Sequence, residues 1–472
     1  MDMNRRLFLG RSGLGFGSLA LSTMLRGAEL GVNGLPHVAP KAKSVIWLFM
    51  RGGVSHMESF DPKPALNELS GKSIGDTRFK HVQDPELLKK VRVVVVNDAN
   101  GQQRNKLYPL QVGYKKYGQS GIEVSDWFPH TGRCIDDIAV IRSMWTTDDN
   151  HGAQVQFHSG RHMLDPRVPT IGAWINWGLG TLNENLPQFI GMGPRFFDRS
   201  DGHYLGPAYD EVKLKIDPKN PLDYAKPQGD LTAEEQRLGF GLVNRLNRLS
   251  LDRHPDDAKL DARIKSYELA YRMQTSVPGV VNFDKETETT KKLYGFDQKE
   301  TRPFGQQLLA ARRFVERGVR FIQLFHRGWD AHGGAPANVR RQCKDTDQPT
   351  SALLADLKQR GMLEDTLVVW GGEFGRTVYC QGKLTRTNYG RDHHPNCFTY
   401  WLAGGGVKAG FSYGQSDDYS VNVVENPVHV HDLQATILHL LGIDHEQLTY
   451  RYQGRYFRLT DVHGKVVRDI LT

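Results

Sequence analysis

The stretch 321-FIQLFHRGWDAHGG-334 starts as an apolar run and breaks abruptly into Trp329, Asp330, Ala331, His332, Gly333 and Gly334. Residues 321–325 read as a buried strand. A carboxylate, an imidazole and two glycines at the mouth of such a strand fit a polar turn, or a place where two side chains hold an ion. The rest of the chain decides between these readings.

Similar short apolar runs recur at 44-SVIWLFMRGG-53, 138-IAVIRSM-144, 187-PQFIGMG-193, 366-TLVVWGG-372 and 398-FTYWLAGGG-406. Segments with helical spacing lie between several of them. Residues 304–318, 351–361 and 432–442 each carry apolar side chains three and four apart and end on glycine. This alternation predicts an α/β fold with a mainly parallel sheet, in which ligands collect at the carboxyl ends of the strands. Between about 195 and 300 the text turns polar and charged, which predicts an insertion or cap on the core.

Several of the predicted strand ends finish in side chains that can ligate a metal. Residues 52-GGVSHMESFDPKP-64 offer His56, Glu58 and Asp61, and 146-TTDDNHGAQVQFHSGR-161 offers Asp148, Asp149, Asn150 and His151. Asp330 and His332 follow the opening stretch, Glu373 and Arg376 lie in 371-GGEFGRT-377, and 390-GRDHHPN-396 adds Asp392, His393 and His394. A single Asp or His after a strand is usually a cap or turn residue. Their convergence on one sheet edge is better explained by a divalent ion, because so many carboxylates are hard to fold together without a cation. Zinc and calcium suit such mixed oxygen and imidazole donors best.

Composition narrows the function classes. The chain has 472 residues, 39% of them hydrophobic, and a net charge of +8. Its Lys and Arg are scattered among acids with no recognition motif, which argues against a nucleic-acid partner. The excess positive charge suits attraction of an anionic substrate. The four cysteines, Cys134, Cys343, Cys380 and Cys397, form no metal-binding pattern. At the N-terminus, 4-NRRLFLGRSGLGFGSLALSTML-25 matches the twin-arginine pattern of two arginines, any residue, then Phe-Leu. Residues 1–30 are therefore expected to be an export signal, with the mature domain at 40–472 in the periplasm or cell envelope. No apolar run reaches membrane-spanning length.

Taken together, 52-GGVSHMESFDPKP-64, 150-NHGAQVQFHSGR-161, 328-GWDAHGG-334, 371-GGEFGRT-377, 390-GRDHHP-395 and 403-AGGGVKAG-410 resemble the domain-of-unknown-function 1501 family, abundant in planctomycetes and related bacteria. The resemblance covers nearly the whole chain after the signal. Through that family the chain is more distantly similar to the alkaline phosphatase and sulfatase superfamily. That similarity implies an alkaline phosphatase-like three-layer sandwich and a hydrolase of sulfate or phosphate esters. It places Glu373 where the superfamily has a metal-binding Asp, matches Asp330 and His332 to its Asp and His pair, and matches His393 to its late histidine.

The departure lies at the nucleophile. Sulfatases place the modified cysteine nine residues before the Thr of Thr-Gly-Arg, and counting back from Ser159 gives Asn150, which is no nucleophile. Either a hydroxyl such as Ser55, Thr146 or Thr147 serves, or a metal-activated water attacks, or hydrolysis has been lost. The expected metal ligands are Asp61, Asp330, His332, Glu373 and His393. Asn150, His151 and Arg376 are the expected catalytic side chains. An anionic small-molecule or polysaccharide ester is the expected substrate, and a non-catalytic metal-containing binding protein is the alternative.

Overall fold

The computed structural model of the chain describes residues 34–83, 106–198, 201–217, 219, 221–222, 232–254, 258–379 and 390–472. The expected export signal and Cys380 lie outside them. Among the described residues nine strands form one sheet: β1 Ser44–Met50, β2 Ile138–Trp145, β3 Phe189–Met192, β4 Val212–Leu214, β5 Phe321–His326, β6 Thr366–Gly371, β7 Phe398–Ala403, β8 Phe411–Tyr413 and β9 Val428–His429. Their order is β8-β2-β7-β6-β1-β5-β3-β4, with β9 also paired to β2. The pairings are parallel except the two made by β7, which runs against β2 and β6. A mainly parallel α/β sheet is thus what the strand pattern predicts and what forms.

Continuous apolar strands belong in a sheet covered on both faces. Every residue of β1 is buried, and its side chains alternate between two cores. Ile46, Leu48 and Met50 enter one cluster, Val45, Trp47 and Phe49 the other. In chain order the main helices are α1 Ala153–Ser159, α2 Ile171–Leu179, α3 Ala233–Arg253, α4 Ala258–Val281, α5 Arg302–Glu316, α6 Ala335–Gln359 and α7 Val430–Leu440. The first core is closed by Leu308 and Phe314 of α5 and by Leu353 and Leu357 of α6. Phe157 of α1, Trp174 of α2, and Leu433 and Ile437 of α7 close the second. Three layers result, each buried Leu, Ile or Phe contributing about 1.5–3 kcal/mol over its exposed state.

The interval 195–300 is not wholly peripheral. Val212–Leu214 returns to the sheet beside β3 before α3 and α4 begin. Helix α3 starts with a capping box, Thr232 accepting from Glu235 N while the Glu235 carboxylate accepts from Thr232 N.

Chain direction gathers the site. Parallel strands β1, β2, β5 and β6 end at one edge, and the reversed β7 begins there. His393 and His394, just before β7, therefore reach the edge where Gly52, His151, Asp330 and Glu373 emerge. A two-residue antiparallel ribbon, Gly375–Arg376 with His393–His394, fixes the register across the gap. No helix among the described residues is long and apolar enough to cross a membrane.

Candidate metal centre

Asp330 is the hub of this edge. Its Oδ1 lies 2.7 Å from His332 Nε2, 3.1 Å from His393 Nε2 and 2.7 Å from an Arg376 Nη. Its Oδ2 lies 3.1 Å from His151 Nε2. The two histidines that share Oδ1 also face each other, Nε2 to Nε2, across 3.0 Å. Such crowding of imidazole nitrogens on one carboxylate is the donor set that a divalent ion organises. Two triplets, His151–Asp330–His393 and His332–Asp392–His393, each bring one donor atom per residue within 4.8 Å of the others.

The side chains behind these donors are ordered by backbone. Glu373 is fully buried, and both its oxygens accept from the Gly52 amide, at 2.9 and 3.0 Å. Its Oε1 also lies 2.9 Å from His151 Nδ1. Glu373 thus holds the far side of the His151 ring. Gly52 has no substitute at this position: φ is +121°, and a Cβ would stand 2.3 Å from the Asp330 amide nitrogen. His393 is set in the same manner, with its Nδ1 3.0 Å from the Asp149 carbonyl.

Arg376 is buried, and each of its three nitrogens donates. The acceptors are the carbonyls of Gly53 at 3.1 Å, Arg391 at 2.9 Å, Trp329 at 3.3 Å and Gly52, and Asp330. This guanidinium joins the β1, β5 and β6 loops and aims Asp330.

Electrostatics follow from the geometry. Burial works against ionising Asp330, yet hydrogen bonds from His151, His332 and His393 and the charge of Arg376 hold its carboxyl well below the usual range. Burial would lower the His151 imidazolium, but its bonds to Asp330 and Glu373 outweigh that and hold it up to about 9. His393 is held below its ordinary value, by burial first.

The structure brings together His151, Asp330, His332 and His393, and places Glu373 and Arg376 behind them. It does not bring Asp61 into this cluster. The Asp61 carboxylate accepts from Ser416 and from Ser420 at 2.6 Å, and pairs with Lys63 at 3.1 Å. Those oxygens face protein donors, apart from the Asp330 cluster. Asn150 shapes a turn, with its amide on Asp148 Oδ1 at 3.1 Å and its own Oδ1 accepting from His151 N at 2.7 Å. The nearby hydroxyls are engaged too: Ser55 donates to Glu58, Thr146 to Gln156, and Thr147 accepts from Gln156. His56 and His394 are buried and bond to the carbonyls of Ser420 and Val421.

The donor triplets include His151, expected only as a catalytic side chain, and Asp392, which was in neither expected set. Asp392 Oδ1 accepts from His393 N at 2.8 Å and lies 3.8 Å from His332 Nδ1. The signal was present in the Asp-His-His run, but three adjacent polar residues leave open which one faces inward. His429 caps α7, and His431 Nε2 lies 2.8 Å from the Gly160 carbonyl.

Among solved structures the chain is similar to the lipoteichoic acid synthase LtaP from Listeria monocytogenes, at 10% identity over 92% of this chain and 78% of that one, with a TM-score of 0.34. It is also similar to the PsFucS1 sulfatase from Pseudoalteromonas sp., at 14% identity over 85% and 68%, TM-score 0.33. Alkaline phosphatase from the Antarctic bacterium TAB5 matches at 10% identity over 77% and 92%, TM-score 0.30. These likenesses are distant in sequence and in geometry, and the chemistry of the site rests on its own residues. No curated protein matches the chain in sequence. The model of the family described as "Protein of unknown function (DUF1501)" matches residues 42–471, and the chain belongs to that family.

Proposed function

We propose that this protein is an exported, metal-dependent hydrolase of sulfate or phosphate esters on small molecules or polysaccharides. The observation that carries the reading is the convergence of His151, His332 and His393 on Asp330, with Asp392 beside them. Residues from separate segments, with His151, Asp330 and His393 held from behind, are what a catalytic ion requires. The donors fit the group: three imidazoles favour zinc or a similar borderline ion over calcium, which takes six to eight oxygens.

His151, Asp330, His332, His393 and Asp392 would hold the metal. When bound, it supplies Lewis acidity and an activated water near neutral pH. Glu373 accepts the Nδ1 proton of His151, which leaves Nε2 to face the donor cluster. Arg376 fixes the Asp330 carboxylate from the protein side. The Phe374 ring, 4.3 Å from the His393 ring between centroids, shields the donors from water on that flank. With Asn150 in the strand-end turn and the neighbouring hydroxyls hydrogen-bonded, the supported nucleophile is water rather than a side chain.

The test is turnover of aryl sulfates and of phosphate mono- and diesters by metal-loaded protein, against Asp330→Asn. Hydrolysis of one class that the variant lacks supports the reading. Equal rates in both proteins overturn it. Asn150 also favours a second reading, a non-catalytic metal-containing binding protein of the same fold. Full metal occupancy with no turnover on any ester would select that one.

A further inference from the structure

Arg51 is the residue between β1 and Gly52, and its main chain is pinned. Its amide donates to His326 O at 2.8 Å and its carbonyl accepts from Trp329 N at 3.3 Å. The side chain is different. Its Cζ lies 4.0 Å from the centroid of the Phe196 ring, and among the described residues no ion pair or hydrogen bond engages the guanidinium. Its Nε is buried without a partner. Buried orphan donors are rare in native proteins and call for a missing acceptor.

Phe196 ties this arginine to the donor cluster. The His151 ring stacks on Phe196 at 4.0 Å between centroids and 29° between planes. Two groups at that height over one ring must occupy opposite faces, so Phe196 lies between His151 and Arg51. The backbone that carries the ring is itself held. Gln154 of α1 accepts from Phe196 N at 3.1 Å and donates to Phe197 O at 3.3 Å. Arg51 is thus presented on a fixed aromatic shelf beside the donors, a placement that restricts a flexible side chain before any ligand arrives.

Charge points the same way. Burial disfavours the Arg51 cation, Glu373 and Asp330 favour it, and the like charge of Arg327 opposes it. A guanidinium fork matches two oxygens of a tetrahedral sulfate or phosphate group. Arg376 instead bonds to backbone carbonyls and Asp330.

We propose that Arg51, braced by Phe196, forms the oxyanion subsite that receives the sulfate or phosphate group. For the ester this rests on the hydrolase reading, but anion binding can be measured separately from turnover.

The experiment is calorimetric titration of the full, metal-loaded protein with inorganic phosphate and, separately, inorganic sulfate, with metal content measured alongside. Arg51→Ala should weaken binding of the preferred anion roughly 10- to 100-fold, as expected for a lost charged hydrogen bond, with metal content unchanged. Arg51→Lys, which keeps the stem and the charge, should recover part of that loss and serves if the alanine variant misfolds. Equal anion affinity in wild type and Arg51→Ala overturns the subsite while leaving the hydrolase reading standing. Loss of metal together with anion in both variants also overturns it, since Arg51 would then be scaffold for the metal. Anion binding through Arg51 without turnover of any ester sustains the subsite and overturns the hydrolase. A wild type that binds neither anion overturns the subsite, and the turnover assay alone then decides the hydrolase reading.

Discussion

His332 Nε2 and His393 Nε2 face each other across 3.0 Å, and both also reach one oxygen of Asp330. Two imidazole nitrogens in that position cannot both carry protons, and two bare lone pairs repel. A cation between them removes the conflict. His332→Ala should lower metal content at least tenfold while the fold persists, since the core strand behind it is untouched; losses of this order attend removal of supporting groups alone. Elemental analysis and circular dichroism check both halves. Full occupancy in the variant would make His332 a turn residue.

Glu373 is expected to orient His151 rather than to ligate. Glu373→Ala strips an acceptor from the Gly52 amide and from His151 Nδ1, at roughly 1–3 kcal/mol for the buried donors left unpaired. Metal affinity should fall about 10- to 100-fold, the usual consequence of losing such a partner. Competition with a chromophoric chelator reads the affinity, and denaturant unfolding the stability. Unchanged affinity would contradict the orienting role.

Metal uptake should release a proton. In the metal-free protein the His151 pKa is held up to about 9, above the ~6.5 of an unfolded histidine. The folded value is the higher one, so this contribution to stability is fully present below pH ~6.5 and is lost as pH rises through the folded pKa. A metal at Nε2 must displace that proton. Titrations in buffers of different ionisation enthalpy should show close to one proton released from this ring near pH ~7, falling toward none above the folded pKa. Release that does not change across this range would contradict a ligand role for His151.

Asp61 should behave as a structural acid. With Ser416, Ser420 and Lys63 as its partners, Asp61→Asn is expected to cost on the order of 2 kcal/mol in unfolding free energy. Metal content should stay at the wild-type level. A variant that unfolds normally yet loses its metal would restore Asp61 to the ligand set.

For export, Arg5→Lys combined with Arg6→Lys should retain the precursor in the cytoplasm, as fractionation and immunoblotting would show. Undiminished export of the double variant would refute the twin-arginine signal.

Much of the architecture was legible because buried parallel strands announce themselves as short apolar runs. Runs at 44, 138, 321, 366 and 398 all form strands of the central sheet. Val212–Leu214 escaped notice because three residues of mixed polarity carry no period. The spacing of helix α6 is legible only over 351–361, where Ser351 resembles a cap. In the fold the helix starts at Ala335 and runs through Pro349. At the site, residue type and position after a strand identified Asp330, His332, His393 and His151 as neighbours. Roles were harder to read. That Glu373 meets the Gly52 amide, and that Asp61 meets Ser416 and Ser420, depends on backbone placement between segments hundreds of residues apart. Arg51 carried no signal at all, because its importance comes from what it does not touch.

The central claim is that the Asp330 cluster holds a metal, and metal content of the purified, folded protein tests it most directly. Wild type should carry at least about one equivalent of zinc or a similar ion per chain, and Asp330→Asn less than about a tenth of that. A wild type free of metal after growth and dialysis with zinc, or an Asp330→Asn variant as fully loaded as wild type, would contradict the account.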